Sequence, residues 1–212
     1  MILALDLSTA CTGWAKYKED GTLLDFGRIV PDDKLHPFLK IKYIVSQLAW
    51  VMLEADVLVV EGIFLNTFTG GFHNVTGFEL LARLSGAVIN SYVQNHDVIP
   101  TIYKATEARK LVGVKATAQK AEIQLWVLRN FILGTKQIVQ GGVEGIKNLD
   151  NFDAMIDSAY AELGTGTIKR PAFKSRMDKI SKMIEEDTGM GEDICDAILL
   201  GRSYCNDQKK KT

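Results

Sequence analysis

Apolar positions open the chain as an almost unbroken run. Ile2 to Leu7 is interrupted only by Asp6 and predicts a strand covered on both faces. Gly13 to Tyr17 predicts a second short strand, Asp20-Gly21 is a strong hairpin turn, and Leu23 to Val30 predicts the third strand of a meander. The period then changes. Phe38, Ile41, Ile44, Val45, Leu48 and Met52 recur at helical spacing over Pro37 to Leu53, and Asp56 to Phe64 returns to a buried strand, so a crossover through a helix follows the meander. Residues 65 to 77, with Gly70-Gly71, Phe68 and Phe72, lose periodicity as a loop before a helix from Gly77 to Gln94, and Val98 to Tyr103 predicts a fifth strand.

Helices dominate the remainder. A short one is predicted around Thr106 to Leu111 and a longer one from Thr117 to Phe131 with Thr117 as its cap. Residues 134 to 191 hold a glycine-rich stretch, an amphipathic helix from Asn151 to Leu163 and a basic window, and are taken as an insertion. The last helix runs from about Glu192 to Tyr204 with Ile194, Ala197, Ile198, Gly201 and Cys205 inward, ahead of a Lys209-Lys210-Lys211 tail expected to fray. Strands first and helices packed on a mixed sheet afterwards give the α/β class, as one domain over 1–212 with 134–191 inserted before the last helix.

Composition changes this picture little, and charge changes it more. With 212 residues, 47% hydrophobic and 24% charged, the chain is long enough for a sizeable core and ordinary for a soluble domain. Cys11, Cys195 and Cys205 have neither paired nor zinc-type spacing, and no signal peptide or long apolar segment is visible; reduced thiols, a cytoplasmic location and no membrane partner are expected. His36, His73 and His96 are scattered, which speaks against a histidine metal site or triad. The net charge of −1 conceals two basic windows. Lys104, Arg109, Lys110, Lys115 and Lys120 face only Glu107 in the first, and Lys169, Arg170, Lys174, Arg176, Lys179 and Lys182 face only Asp178 in the second. Such windows either track a phosphate backbone or are solvated faces balancing acidic ones.

The candidate chemistry lies in four acids. Asp6 ends the first strand, Glu61 ends the apolar run Val57 to Val60, and Asp193 and Asp196 open the last helix three residues apart, on one face. A carboxylate at the end of a buried strand is costly to desolvate without a cation or dense donors. Asp6 and Glu61 are expected on neighbouring strands, since the strand reached by such a crossover commonly pairs with the first. Four converging carboxylates suit a hard cation, Mg²⁺ or Mn²⁺, and two ions about 3.5 to 4 Å apart can drive in-line attack on a phosphodiester. Alternatives remain for each acid: a turn cap for Asp6, a core arginine for Glu61, a helix N-cap for Asp193.

These residues carry a resemblance. Ala4-Leu5-Asp6-Leu7-Ser8 with Thr12-Gly13-Trp14, then Val59-Val60-Glu61-Gly62-Ile63-Phe64, then Glu192-Asp193-Ile194-Cys195-Asp196-Ala197-Ile198-Leu199-Leu200 resemble, in order and spacing, the motifs of the RuvC-type Holliday junction resolvases of the ribonuclease H superfamily, particularly their phage, poxviral and mitochondrial relatives. Leu7-Ser8 departs from the Pro-Gly usual in bacterial members. The resemblance implies a ribonuclease H-like fold, a central mixed five-stranded sheet flanked by helices. It also implies a homodimeric, Mg²⁺-dependent endodeoxyribonuclease, Mn²⁺ substituting, with two ions per site and no organic cofactor. Such an enzyme nicks four-way and other branched DNA and leaves 5′-phosphate and 3′-hydroxyl ends; a phage-encoded one would act in the host cytoplasm.

The segment Ala108-Arg109-Lys110-Leu111-Val112-Gly113 with Ala118-Gln119-Lys120-Ala121 looks like the family's lysine-bearing helix pair. By that likeness Lys120 stabilises phosphate charge or orients the attacking water, and Lys110 contacts the backbone. Phe64, Phe68 and Phe72 would present an aromatic wedge to unpaired bases, or pack under the helix or in the dimer interface. One rival acid pair exists, because Asp150-Asn151-Phe152-Asp153-Ala154 repeats the D-x-x-D-A pattern; the longer apolar run after Asp196 favours Asp193 and Asp196. Two other functional classes stay open. Asp6-Leu7-Ser8-Thr9 with Thr12-Gly13 also resembles the first phosphate loop of actin-like and sugar-kinase-like ATPases, without their second Asp-x-Gly-Gly loop, and a non-catalytic branched-DNA-binding protein would share the basic windows.

Overall fold

The computed structural model describes residues 1–63, 75–132 and 149–211. They belong to two compact units, Met1–Ala116 with Asp196–Thr212, and Thr117–Cys195. The first unit is built on a five-stranded sheet of β1 (Ile2–Asp6), β2 (Thr12–Tyr17), β3 (Leu23–Ile29), β4 (Val57–Glu61) and β5 (Thr101–Tyr103), in the order β3-β2-β1-β4-β5. The hairpins make β1, β2 and β3 antiparallel, and the crossover through α1 (Pro37–Met52) lays β4 parallel to β1. After α2 (Val75–His96), β5 joins β4 in parallel and leads into α3 (Ala105–Leu111). The fifth strand is shorter than its apolar run because Pro100 has no N–H to give a ladder and Asp97 turns the chain at φ 51°.

The two-residue strand period decides which side chains face which layer. Leu3 and Leu5 of β1 with Leu58 and Val60 of β4 point to one face, where they join Ile41, Ile44, Leu48 and Met52 of α1 and Leu84, Val88 and Tyr92 of α2 in a single buried cluster. Each such side chain withdrawn from water contributes about 1.5–3 kcal/mol, which makes this layer the main hold on the sheet. Ala4 points to the other face. There it meets α7 (Glu192–Lys211), whose Gly201 comes so close that a Cβ on it would lie 3.1 Å from the Ala4 Cβ. The first strand is thus covered on both sides, as its unbroken apolar run requires.

The second unit is helical: α4 (Lys120–Val127) continuing into a π-helical turn at Leu128–Ile132, α5 (Leu149–Gly164), α6 (Arg170–Thr188) and the first residues of α7. The helix predicted to be capped by Thr117 begins later, at Lys120. The Glu122 carboxylate accepts from the Gln119 backbone N–H at 2.6 Å, so Gln119 and Glu122 close the end, while the Thr117 carbonyl merely accepts from the Gln119 side chain at 3.0 Å. Tyr160 of α5 donates to the same Glu122 at 2.8 Å.

The second basic window is the outer face of α6. Phe173, Met177, Ile180 and Ile184 form its buried stripe against α4 and α5, Lys169, Arg170, Lys174, Lys179 and Lys182 are exposed, and Gly189 in the left-handed region at φ 73° ends the helix. The expected fraying of the lysine tail does not occur within the described residues. α7 stays helical through Lys211, with Lys211 paired to Asp207 at 2.7 Å and Lys209 donating to the Asp20 carbonyl at 3.2 Å. Among the described residues no helix is long and apolar enough to cross a membrane.

Candidate active site

Leu5 is the register partner of Val60, so the next residues along the two parallel strands, Asp6 and Glu61, stand side by side at the strands' carboxyl ends. They share the face of Ala4, the α7 side, and both are half-buried. This end of an open α/β sheet is where ligands bind, because no strand continues to fill it. Burial pushes the Glu61 carboxyl above its ordinary value, and the positive charge of Arg109 on α3 opposes that rise. Arg109 also donates to the Ala116 carbonyl at 3.2 Å. The arginine that the sequence offered only as a backbone contact is therefore an electrostatic neighbour of Glu61; helical phase alone marks it no differently from Lys110.

A desolvated acid beside a second acid is poorly served by protons and water and well served by a divalent cation, so the pair fits an oxygen-coordinated metal. The shift has a consequence for stability. In metal-free protein the folded state keeps the Glu61 proton to higher pH than the unfolded chain does. From the ordinary glutamate value, about pH 4, up through the raised one, the folded state binds more protons and stability falls as pH rises. Glu61→Gln removes this slope, so in EDTA the variant should melt above the wild type at neutral pH and lose that advantage below about pH 4; parallel thermal melts check it, and identical pH profiles would refute it.

The turn leaving Asp6 is closed by its own hydroxyls. Ser8 Oγ accepts from the Ala10 N–H at 3.2 Å and from the Cys11 N–H at 3.5 Å, while Thr12 Oγ1 accepts from the Ser8 N–H at 3.2 Å and donates to the Ser8 carbonyl at 2.8 Å. These N–H groups, which a phosphate loop would point at its anion, are engaged inside the turn.

Contacts within the first unit set the course of α7. The Tyr17 hydroxyl donates to the Ile198 carbonyl at 2.7 Å, Gly201 lies on Ala4, and Arg202 and Lys209 donate to the carbonyls of Gly21 and Asp20. The Asp20-Gly21 turn follows β2 beside the start of β1, so the helix runs back over that face and its residues before Gly201, Asp196 among them, lie toward the Asp6 end. Asp193, in the second unit, lies within the first turn of the helix and not at its cap, since Glu192 already opens the helix and the Gly191 carbonyl accepts from the Cys195 N–H at 3.2 Å. A carboxylate in a first turn suits the helix dipole.

In the second unit Lys120 is ion-paired with Glu192, whose other oxygen accepts from the buried Ser181 hydroxyl at 3.1 Å. Glu192 was not singled out by sequence, because nothing local ties it to a lysine 72 residues earlier. Asp153 of the rival pair is ion-paired with Arg129, and Asp150 is exposed at the start of α5. Lys104, Lys110 and Lys115 are exposed, whereas Arg176 is bound to Glu162 at 2.6 Å. Phe64, Phe68 and Phe72 lie outside the described residues. Among the described residues no three His, Cys, Asp or Glu side chains gather closely enough to hold one ion by themselves.

No protein-family model matches this sequence, and no curated protein is similar to it in sequence. Solved structures are. RuvC of Thermus thermophilus matches with a TM-score of 0.57 at 12% identity, over 100% of this chain and 96% of that one. The T. thermophilus RuvC in complex with Holliday junction substrate matches with a TM-score of 0.57 at 12% identity, over 99% of this chain and 94% of that one. With the mixed sheet in the order β3-β2-β1-β4-β5 and helices on both faces, the match establishes that this chain has the ribonuclease H-like fold in the form found in RuvC.

Proposed function

We propose that this chain is a metal-dependent endonuclease that nicks four-way and related branched DNA. The observation that carries this reading is the Asp6–Glu61 pair at the carboxyl ends of two parallel strands, in the fold of a resolvase that has been solved on a Holliday junction. Asp6 and Glu61 would hold Mg²⁺ or Mn²⁺, with Asp193 and Asp196 as the further acids that the resemblance assigns. When bound, the ions activate a water and stabilise the leaving oxygen of the phosphodiester. Asp153 is the weaker choice, since the apolar run after Asp196 is longer.

The other residues have supporting work. Arg109 partly offsets the rise that burial imposes on the Glu61 carboxyl. Lys120 offers an ammonium to the phosphate once Glu192 yields it, and Lys104, Lys110 and Lys115 follow the backbone. Lys169, Arg170 and Lys174 give α6 a second cationic face, whereas Arg176 serves the α5–α6 contact through Glu162. Phe64 and Phe68 are kept as the wedge at the junction centre. Symmetric resolution needs two opposed nicks, hence a homodimer with one site per copy.

A labelled synthetic four-way junction, incubated with and without Mg²⁺, tests the proposal. Nicks with 5′-phosphate ends, dependent on Mg²⁺ and absent from linear duplex of the same sequence, are expected. Junction binding without any nick would overturn it in favour of a non-catalytic binding protein, and equal cutting of duplex would overturn the structure selectivity.

A further inference from the structure

The register places one row of residues across the sheet at the end that carries the acids. Asp6 pairs with Gly13 and Gly13 with Arg28, while Glu61 pairs with Tyr103, so the row reads Arg28, Gly13, Asp6, Glu61, Tyr103 from β3 to β5. Residues opposite one another in a ladder point to the same face of the sheet. Arg28 therefore stands on the Asp6 face, and its neighbours fix it there. Gly27 turns the other way, against Trp14, where a Cβ would lie 2.7 Å from the indole, and Ile29 is buried in the cluster that α1 and α2 cover. A one-residue slip of β3 would bury the guanidinium and expose Ile29.

Two features set this arginine apart from an ordinary surface cation. Gly13 has no side chain, so nothing of β2 stands between Arg28 and Asp6, whose strands lie about 9.5 Å apart at the usual spacing. An extended arginine covers most of that span. Arg28 is also exposed, and it is the one basic residue in a stretch that holds Glu19, Asp20, Asp25, Asp32 and Asp33. Asp25, the acid nearest to it in the strand, stands opposite Lys16 on the other face. On the far side of the acids the row ends alike, with exposed Lys104 directly after Tyr103. Asp6 and Glu61 are thus bracketed by a cation on either flank.

A cation at that reach suits one class of ligand. Ions held by Asp6 and Glu61 would seat the scissile phosphate, and the strand carrying it brings a further phosphate on each side. A guanidinium meets a phosphate through two parallel N–H donors and keeps its charge at any working pH. We propose that Arg28 binds the backbone phosphate next to the scissile one, so that the cut strand crosses the sheet end from β3 toward β5 and Lys104. Which phosphate is cut rests on the proposed nuclease; the contact itself is read from binding.

Binding of a labelled four-way junction in EDTA, followed from roughly 50 to 200 mM salt, tests it. Arg28→Gln should bind about tenfold more weakly at the low end and lower the slope of log affinity against log salt by about 0.9, the share of one phosphate. Arg28→Lys should keep most of the slope, and circular dichroism should show both variants folded. Lys18→Gln, the same loss of charge at the other end of the β2–β3 hairpin, should bind as the wild type does. Junctions carrying one uncharged methylphosphonate, moved stepwise along each strand, locate the phosphate: one position should weaken the wild type and leave Arg28→Gln unchanged, with any nick falling beside it. A wild-type slope in Arg28→Gln, or no such position, would overturn the contact. An unchanged slope with a raised Mg²⁺ requirement for nicking would instead make Arg28 a counter-ion of Asp6, and a responsive phosphate remote from the nick would overturn the path across the sheet. Arg28-dependent binding without any nick condemns the nuclease and spares the contact; Mg²⁺-dependent nicking indifferent to Arg28→Gln does the reverse.

Discussion

Asp6→Asn lowers Mg²⁺-dependent nicking of a four-way junction by about three orders of magnitude, about 4 kcal/mol of transition-state stabilisation, and leaves junction binding in place. The asparagine keeps the shape of the side chain and removes only its charge. Asp6 ends β1, its neighbours Leu5 and Ala4 supply the packing, and its register partner Gly13 brings no side chain against it. The loss should therefore fall on the chemistry, not the fold. Glu61→Gln should match it, because the two acids stand side by side, and Asp196→Asn should follow. Asp153→Asn should cut at nearly the wild-type rate if the acids of the last helix complete the site, and losing its half-exposed pair with Arg129 costs at most about 1 kcal/mol of stability. Single-turnover rates on one labelled junction separate the cases. Active Asp6→Asn protein would sink the site, and an inactive Asp153→Asn beside an active Asp196→Asn would move the site to α5.

The parts of this site that were legible in the chain are those decided by short-range periodicity. Asp6 and Glu61 interrupt apolar runs at strand ends, the helical run between them forces a parallel return, and a two-residue period then puts both on one face. Such logic does not reach the second unit. In α6 and at its cap, five exposed basic residues dominate the composition of a window whose buried stripe, Phe173, Met177, Ile180 and Ile184, has ordinary helical spacing; charge obscured the helix. The start of α4 was misplaced because Thr117 and Gln119 are both competent acceptors, and only the return bond from Glu122 chooses between them. Arg109 beside Glu61 and Glu192 on Lys120 are contacts between distant residues, and no local pattern encodes them. The π-helical turn at Leu128–Ile132 likewise has no mark in the sequence.

Gly201→Ala should destabilise the protein by about 2 kcal/mol, although the same change in an exposed helix would stabilise it by about 1 kcal/mol. A Cβ on Gly201 would meet the Tyr17 ring at 2.4 and 2.6 Å and the Ala4 Cβ at 3.1 Å. None of these can retreat cheaply. Ala4 is fixed in β1, and Tyr17 is wholly buried with its hydroxyl tied to the Ile198 carbonyl at 2.7 Å, so swinging the ring aside would strand a buried donor. The helix must lift instead, and Asp196, five residues earlier on the same helix, moves with it. Urea unfolding should show a lower midpoint at unchanged slope, and nicking should slow at temperatures where the variant is still folded. Tyr17→Leu shortens the obstacle, so Gly201→Ala should cost less in that background, a coupling that only direct contact produces. Additive costs in the double variant, or a Gly201→Ala protein as stable as the wild type, would show that the close packing of α7 on β1 and β2 does not set the position of Asp196.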